Sequence, residues 1–164
     1  MKVSNTQRIT INFIKWVLFA AVMVTLIVML TRSAGATSSA DFKTLQANVI
    51  QVSETDKMKQ GDNRMLRRLY GIDAELFEDM VFYYPASNMG AEELLFVRLK
   101  NEADVAAVKE LIEQRNASQI RAFEGYGVEQ TQLLKDAVLS EHGRDLLYSV
   151  GNQSKDVEEA YLKT

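Results

Sequence analysis

The chain has 164 residues, with 19 lysines and arginines, 22 aspartates and glutamates, one histidine and no cysteine. Four of the basic residues precede position 36, so the rest of the chain carries about seven net negative charges, which argues against nucleic-acid binding because phosphates require a basic surface. The lack of cysteine excludes disulfides, thiol catalysis, thiolate metal sites and a lipid attached to an N-terminal cysteine.

The first predicted element is a membrane segment at residues 16–31 (WVLFAAVMVTLIVMLT), an uncharged run that follows Lys2, Arg8 and Lys15. A helix of this length spans roughly 24 Å, close to the hydrocarbon thickness of a bilayer. The basic residues before the run outnumber the single Arg32 after it, which predicts a cytoplasmic N-terminus and an outer location for the rest. We therefore expect residues 1–36 to form a signal-anchor or transmembrane segment.

The fate of this segment has two alternatives. Residues 34–36 (AGA) have the small-x-small form that signal peptidases accept. Cleavage after Ala36 would release a secreted domain, whereas retention would leave a single-pass protein of the cell membrane with its C-terminal domain outside. We favour retention because Arg32 directly follows the apolar run. Residues 37–40 are small and polar, and we interpret them as a linker to a single extracytoplasmic domain at residues 41–164.

Two helices open the predicted domain. Apolar residues recur at intervals of three and four in residues 42–52, behind a capping Asp41, and predict the first helix. Residues 53–63 are polar and predict no regular element. A second, shorter helix is expected at residues 65–70, where Gly71 would end it.

Two hairpins follow. Residues 81–84 and 94–99 are rich in aromatic and β-branched residues and flank a loop with proline and glycine, which predicts the first hairpin. Residues 138–139 and 146–150 predict the second, turning at Gly143.

Three more helices complete the prediction. The clearest is the long helix whose apolar stripe runs from Val105 to Phe123, and shorter ones are expected around residues 132–134 and 154–161. The order of elements predicts an α+β fold, in which a small antiparallel sheet built from two hairpins has helices packed on one face.

No motif in the chain predicts catalysis, a metal or a cofactor. Residues 140–145 include the only histidine with serine and acidic neighbours, but consecutive residues of a hairpin cannot converge as a catalytic triad. Residues 125–127 (GYG) follow a helix, whereas a phosphate-binding glycine loop follows a strand, so we interpret Gly125 as the end of the long helix. The paired carboxylates lack the spacing of a calcium loop.

Three residues are the candidate ligand- or partner-binding positions: Glu93, Arg115 and Tyr126. Arg115 lies in line with Val105 and Ile112 on the apolar stripe of the long helix, where a charge needs a partner. Either it pairs with an acid such as Glu93 on the neighbouring strand, or it projects from a groove toward an anionic group of a ligand or partner.

The chain resembles a bacterial family described as domain of unknown function 4358, over about residues 42–163. The matching features are residues 89–94 (MGAEEL), Arg115 and residues 123–130 (FEGYGVEQ). The resemblance implies a secreted or membrane-anchored protein of Gram-positive bacteria, often encoded beside a membrane-bound O-acyltransferase and its extracytoplasmic partner. Many members are lipoproteins, and this chain departs from them because it has no cysteine.

These observations favour a noncatalytic extracytoplasmic accessory or interaction domain of the cell envelope. It would bind a membrane partner or a cell-wall polymer, and the resemblance associates it with an acyltransferase. One alternative is a hydrolase or transferase of envelope esters or glycans that works with carboxylates alone, with Glu93 as the first candidate. The other is a sensor that holds a small anionic ligand in a groove near Arg115 and Tyr126. An open polar cleft at Arg115 would favour a ligand or catalysis.

Overall fold

A computed structural model of the protein describes Trp16, Met23 and residues 42–163. Residue contacts divide the chain into two compact units, Met1–Ala36 and Thr37–Thr164. Trp16 and Met23 are helical, and the rest of the predicted membrane segment, the linker and the expected helix cap at position 41 lie outside the described residues. Within the described part of the chain, no helix is long and apolar enough to cross a bilayer.

Five α-helices and five strands occupy residues 42–163. The helices are α1 (Phe42–Val52), α2 (Asn63–Tyr70), α3 (Val105–Phe123), α4 (Val128–Lys135) and α5 (Ser154–Leu162). The strands are β1 (Met58–Gln60), β2 (Phe77–Pro85), β3 (Glu93–Leu99), β4 (Val138–His142) and β5 (Asp145–Val150). All strands form one antiparallel sheet in the order β1-β2-β3-β5-β4. The predicted α+β class is confirmed.

Both predicted hairpins are present, as β2–β3 and β4–β5, and the pairing of β3 with β5 joins them at the centre of the sheet. The remaining strand, β1, was not predicted. It has only three residues, of which two are exposed, and it pairs with the end of β2 at the sheet edge. A short, solvent-facing edge strand of this kind has no hydrophobic alternation for a sequence pattern to detect.

The prediction that the helices pack on one face of the sheet is wrong, because the sheet buries both of its faces. Leu95 and Val97 belong to a core shared with α2, α3 and α4, which we call the first core. Leu94 and Phe96 belong to a second core, shared with α1 and α5. Neighbouring residues of a strand point to opposite faces, so the apolar run of β3 reflects burial on both sides.

The long helix α3 lies over the first core. It buries Val105, Val108, Ile112 and Phe123, which confirms the predicted apolar stripe. The same stripe places Arg115 one turn beyond Ile112, facing the sheet. In the second core, α1 packs on the sheet through Phe42, whose ring stacks on that of Phe96 with centroids 4.4 Å apart.

Candidate functional site

A buried ion pair connects the sheet to the long helix at the first core. Glu93 is the first residue of β3, and its side chain points to the same face as Leu95. The Nε of Arg115 donates to both Glu93 carboxylate oxygens, at 3.0 Å and 3.2 Å. The Glu93 side chain is 0 % exposed and that of Arg115 is 10 % exposed. The first of the two alternatives for Arg115, an ion pair with Glu93, is therefore confirmed.

Two tyrosines surround this pair. The Cζ of Arg115 lies 5.1 Å from the ring centroid of Tyr70, within the range of a cation–π contact. The Tyr148 ring meets that of Tyr70 edge-on, with centroids 6.4 Å apart. The Tyr148 hydroxyl donates to Asn116 Oδ1 at 3.2 Å, and Asn116 Nδ2 donates to the carbonyl oxygen of Leu134 at 3.2 Å. The guanidinium group is therefore held from two directions, by a carboxylate and by an aromatic face.

Unlike the Tyr148 hydroxyl, the Tyr70 hydroxyl makes no clear hydrogen bond to a described residue. It is buried, and no described residue offers it a hydrogen-bond partner with good geometry. It nevertheless lies close enough to the Glu93 carboxylate for each group to shift the pKa of the other. A buried hydroxyl without a firm partner carries a desolvation cost of about 1–3 kcal/mol, which a bound water or ligand atom could offset.

Burial dominates the protonation of the cluster. It raises the pKa of Glu93, and this effect outweighs the lowering caused by Arg115. Burial also raises the pKa of Tyr70 well above its usual value, and the Glu93 carboxylate adds to that rise. For Arg115, burial lowers the pKa, but the combined effects of Glu93, Tyr70 and Tyr148 raise it overall. Arg115 is therefore a permanent cation, and its carboxylate partner is the group that can change its charge.

Arg115 also reaches an open cleft of about 310 Å³ between α2, α3 and the loop from β2 to β3. The cleft has a second cation, Arg68 of α2, and side-chain amides from Asn88 and Gln119. Among the described residues, no aspartate or glutamate lines it. The hydrogen bonds of Arg115 to described residues all leave from Nε, so its two terminal nitrogens have no hydrogen-bond partner among these residues, and the side chain as a whole lines the cleft.

Tyr126 lies apart from the other two predicted residues. It belongs to the turn between α3 and α4, is 62 % exposed and contacts the ring of Phe123 at a centroid distance of 5.8 Å. Gly125 adopts a φ of 96°, as expected for the residue that ends the helix. A Cβ atom on Gly127 would lie 2.7 Å from a ring carbon of Phe123, so the turn depends on glycine there. Tyr126 does not line the Arg115 cleft.

The acidic residues near the only histidine are already engaged. His142 is exposed at the end of β4. The Asp145 carboxylate accepts two hydrogen bonds from Arg98, both at 2.7 Å, and Glu141 pairs with Lys109 at 3.0 Å. This arrangement has no catalytic triad. Within the described residues, no group of three or more histidines and carboxylates could hold a metal ion.

Several residues of the cluster and cleft were not predicted. These residues lie on elements other than β3 and α3: Arg68, Tyr70, Asn88 and Tyr148. A weak signal existed for Tyr70, which occupies the apolar face of α2 directly before its terminal glycine. Arg68 gave none, because an exposed arginine on a short helix is common and only the fold brings it beside Arg115.

Comparison with known proteins gives one match. The model of a protein family described as Domain of unknown function (DUF4358) matches residues 51–151. Searches of curated proteins and of solved structures found no match. The matched range contains Glu93, Arg115 and Tyr126, with the whole sheet, so it includes the ion pair and its cleft. It also confirms the resemblance carried by residues 89–94, Arg115 and residues 123–130. The chain belongs to the DUF4358 family.

Proposed function

We propose that this chain is a noncatalytic extracytoplasmic accessory domain of the bacterial cell envelope, and that it binds a membrane partner or an envelope polymer through the Arg115 cleft. The observation that carries the proposal is the state of Arg115. Its Nε donates to Glu93, its Cζ lies over the ring of Tyr70, and its terminal nitrogens make no hydrogen bond to a described residue, while the side chain lines the cleft. An arginine fixed in this way presents its donors to a partner with little further loss of conformational freedom.

The charge distribution favours an anionic group on the partner. The outer part of the chain carries about seven net negative charges, yet the described residues that line the cleft include two arginines and no carboxylate. A local positive site on an acidic domain attracts an anionic group.

The geometry of Glu93 favours binding over catalysis. A raised pKa suits an acid catalyst, but the Glu93 side chain has no exposed surface and both of its oxygens contact Arg115. A general acid must come within hydrogen-bond reach of its substrate. Catalysis by Glu93 would therefore require Arg115 to move away and the first core to open.

Two features support a membrane-anchored domain on the extracytoplasmic side. The charge-free residues 16–31 follow a basic N-terminus, which favours an orientation with the domain outside, and Arg32 directly after the run favours retention as a single-pass anchor. The resemblance noted above associates such domains with a membrane-bound O-acyltransferase, which makes an enzyme of that class the first partner to test. Sequencing of the mature N-terminus from membrane and medium fractions would show whether residues 1–36 are retained or removed at Ala36.

The proposed partner can be tested with the intact protein. Cross-linking followed by pull-down from detergent-solubilised membranes should recover an O-acyltransferase, another envelope enzyme or a wall polymer. Arg68→Ala should reduce recovery, because it removes a cation that lines the cleft. Arg121→Ala is the matched control, since Arg121 is exposed on α3 and does not line the cleft. Repeated recovery of nothing specific, or equal recovery with Arg68→Ala, would overturn the proposal.

A further inference from the structure

Polar side chains from three elements line the Arg115 cleft, and their chemistry limits the kind of ligand that it can bind. Arg115 lines the cleft from α3 and Arg68 lines it from α2, and the terminal nitrogens of Arg115 make no hydrogen bond to a described residue. Gln119 and Asn88 add amide groups from α3 and from the loop between β2 and β3. Among the described residues, the side chains of Arg68, Asn88 and Gln119 make no hydrogen bond to another side chain. Arg115 donates only through Nε, to Glu93. The donors therefore approach from three separate elements.

This arrangement fits a tetrahedral anion better than a planar one. A carboxylate has two oxygens in one plane and is satisfied by a single arginine fork. A phosphate group has oxygens that point in several directions and can accept from the Arg115 fork, from Arg68 and from an amide together. Lysine binds phosphate as a point charge, whereas the planar fork of arginine binds two oxygens at once.

The cleft is larger than one phosphate group. Its 310 Å³ is at the lower end of the roughly 300–1,000 Å³ typical of small-molecule sites. Met65, Leu69, Tyr84 and Pro85 form apolar and aromatic walls beside the charged side. Such walls would contact the organic part of a ligand, so the site suits a phosphate ester better than inorganic phosphate alone.

We propose that the cleft binds the phosphoryl group of an organic phosphate ester, with Arg115 and Arg68 as its two cationic contacts and Tyr84 beside the organic portion. The inference rests on the proposed binding role of the same cleft, and it names the ligand class. A soluble phosphate ester, a phospholipid headgroup and a phosphodiester polymer share this chemistry.

The test uses the full chain in a neutral detergent and titration calorimetry at constant ionic strength. The probes are glycerol 3-phosphate as a monoester, glycerophosphocholine as the diester of a lipid headgroup, and acetate as a carboxylate. We expect saturable binding of at least one phosphate ester and at least about tenfold weaker binding of acetate. Stronger binding of the monoester would indicate a soluble ligand, and stronger binding of the diester would indicate a lipid or polymer source.

Two variants connect the binding to the cleft. Arg68→Ala changes an exposed residue, so it should leave folding intact and weaken the ester about tenfold or more. Arg115→Lys keeps the charge but removes the fork, and it should weaken the ester while urea denaturation reports whether the domain still folds. Arg121→Ala should bind as the wild type does. Absence of saturable binding by both esters, equal affinity for acetate, or unchanged affinity in Arg68→Ala would overturn the inference.

The outcomes for ligand class and for partner binding are separable. If the esters do not bind but the membrane pull-down still recovers a partner that depends on Arg68, the ligand class is wrong and the accessory role stands. If the esters bind and the pull-down recovers nothing, the cleft is a phosphate site and the accessory role is wrong.

Discussion

Arg115 of α3 donates through Nε to both carboxylate oxygens of Glu93 of β3, and this contact connects a central strand to the longest of the described helices. The pair is the most deeply buried of the ion pairs among the described residues, with side chains 10 % and 0 % exposed. Removing one member of such a pair costs more than the pair contributes, because the other charge remains buried without compensation.

Replacement of Arg115 by leucine should therefore destabilise the domain by about 3–5 kcal/mol. Urea denaturation of the full chain in detergent, followed by circular dichroism, measures the free energy of unfolding. Arg121→Leu on the exposed face of the same helix should stay within about 0.5 kcal/mol of the wild type. An Arg115→Leu loss as small as that of the control would show that the carboxylate does not depend on Arg115.

The double variant Glu93→Leu/Arg115→Met distinguishes the net contribution of the ion pair to stability from the destabilisation caused by one buried charge without a partner. Apolar residues of similar volume often replace a buried ion pair without net loss. We expect the double variant to be more stable than Arg115→Leu, by about 2 kcal/mol or more. A double variant no more stable than Arg115→Leu would contradict this expectation, and the same denaturation experiment measures it.

The raised pKa of Glu93 predicts a pH dependence of stability. The folded state binds this proton more tightly than the unfolded state, where the pKa is near its usual 4.5. The stabilising contribution is thus full below pH 4.5 and is lost as the pH rises through the folded-state pKa. Glu93→Gln removes this titration. The unfolding free energy of the wild type minus that of Glu93→Gln should fall as the pH rises from 4 toward 8, and a constant or rising difference would refute the predicted direction.

A second ion pair stabilises the opposite side of the sheet. Arg98 of β3 donates to both oxygens of Asp145 of β5, and the Asp145 side chain is 3 % exposed. Asp145→Asn should cost about 1.5–3 kcal/mol, because it removes the ionic character of these hydrogen bonds. Glu141→Gln is the control, since the pair of Glu141 with Lys109 is 44 % and 36 % exposed and should contribute less than about 1 kcal/mol. Equal costs for both variants would contradict the ranking by burial.

The packing of α1 on the sheet can be tested at Leu45, which is 1 % exposed in the second core. Leu45→Ala should destabilise the domain by about 2–5 kcal/mol. Thr44→Ala changes the neighbouring exposed position and should have little effect. If both variants unfold at the wild-type urea concentration, α1 does not contribute to the stability of the second core.

The sequence predicted the elements better than their arrangement. Apolar periodicity located α1 and α3, and the aromatic and β-branched runs located both hairpins, because these signals depend on residues close together in the chain. β1 escaped prediction because pairing with β2 is its main determinant. The apolar run of β3 reflects burial on both of its faces. The prediction of one covered face came from the order of the elements, which does not specify which face each helix covers.

The candidate site shows the same division. The apolar stripe of α3 indicated that Arg115 needs a partner and suggested Glu93, which the structure confirms. The sequence suggested one groove near both Arg115 and Tyr126, but the structure places Tyr126 in the turn after α3, outside the cleft that Arg115 lines. Arg68 and Tyr70 join the site because α2 packs beside α3, which no local pattern reveals.

The sequence by itself determined the helices and hairpins, the acidic balance of the outer chain, and the need of Arg115 for a counter-charge, since each follows from spacing or composition. Only the tertiary structure decided that Glu93 pairs with the Nε of Arg115 while the Arg115 side chain also lines an open cleft. The physical reason is that exposure is set by how α2, α3 and the β2–β3 loop meet. That packing sums many weak contacts between residues far apart in the chain.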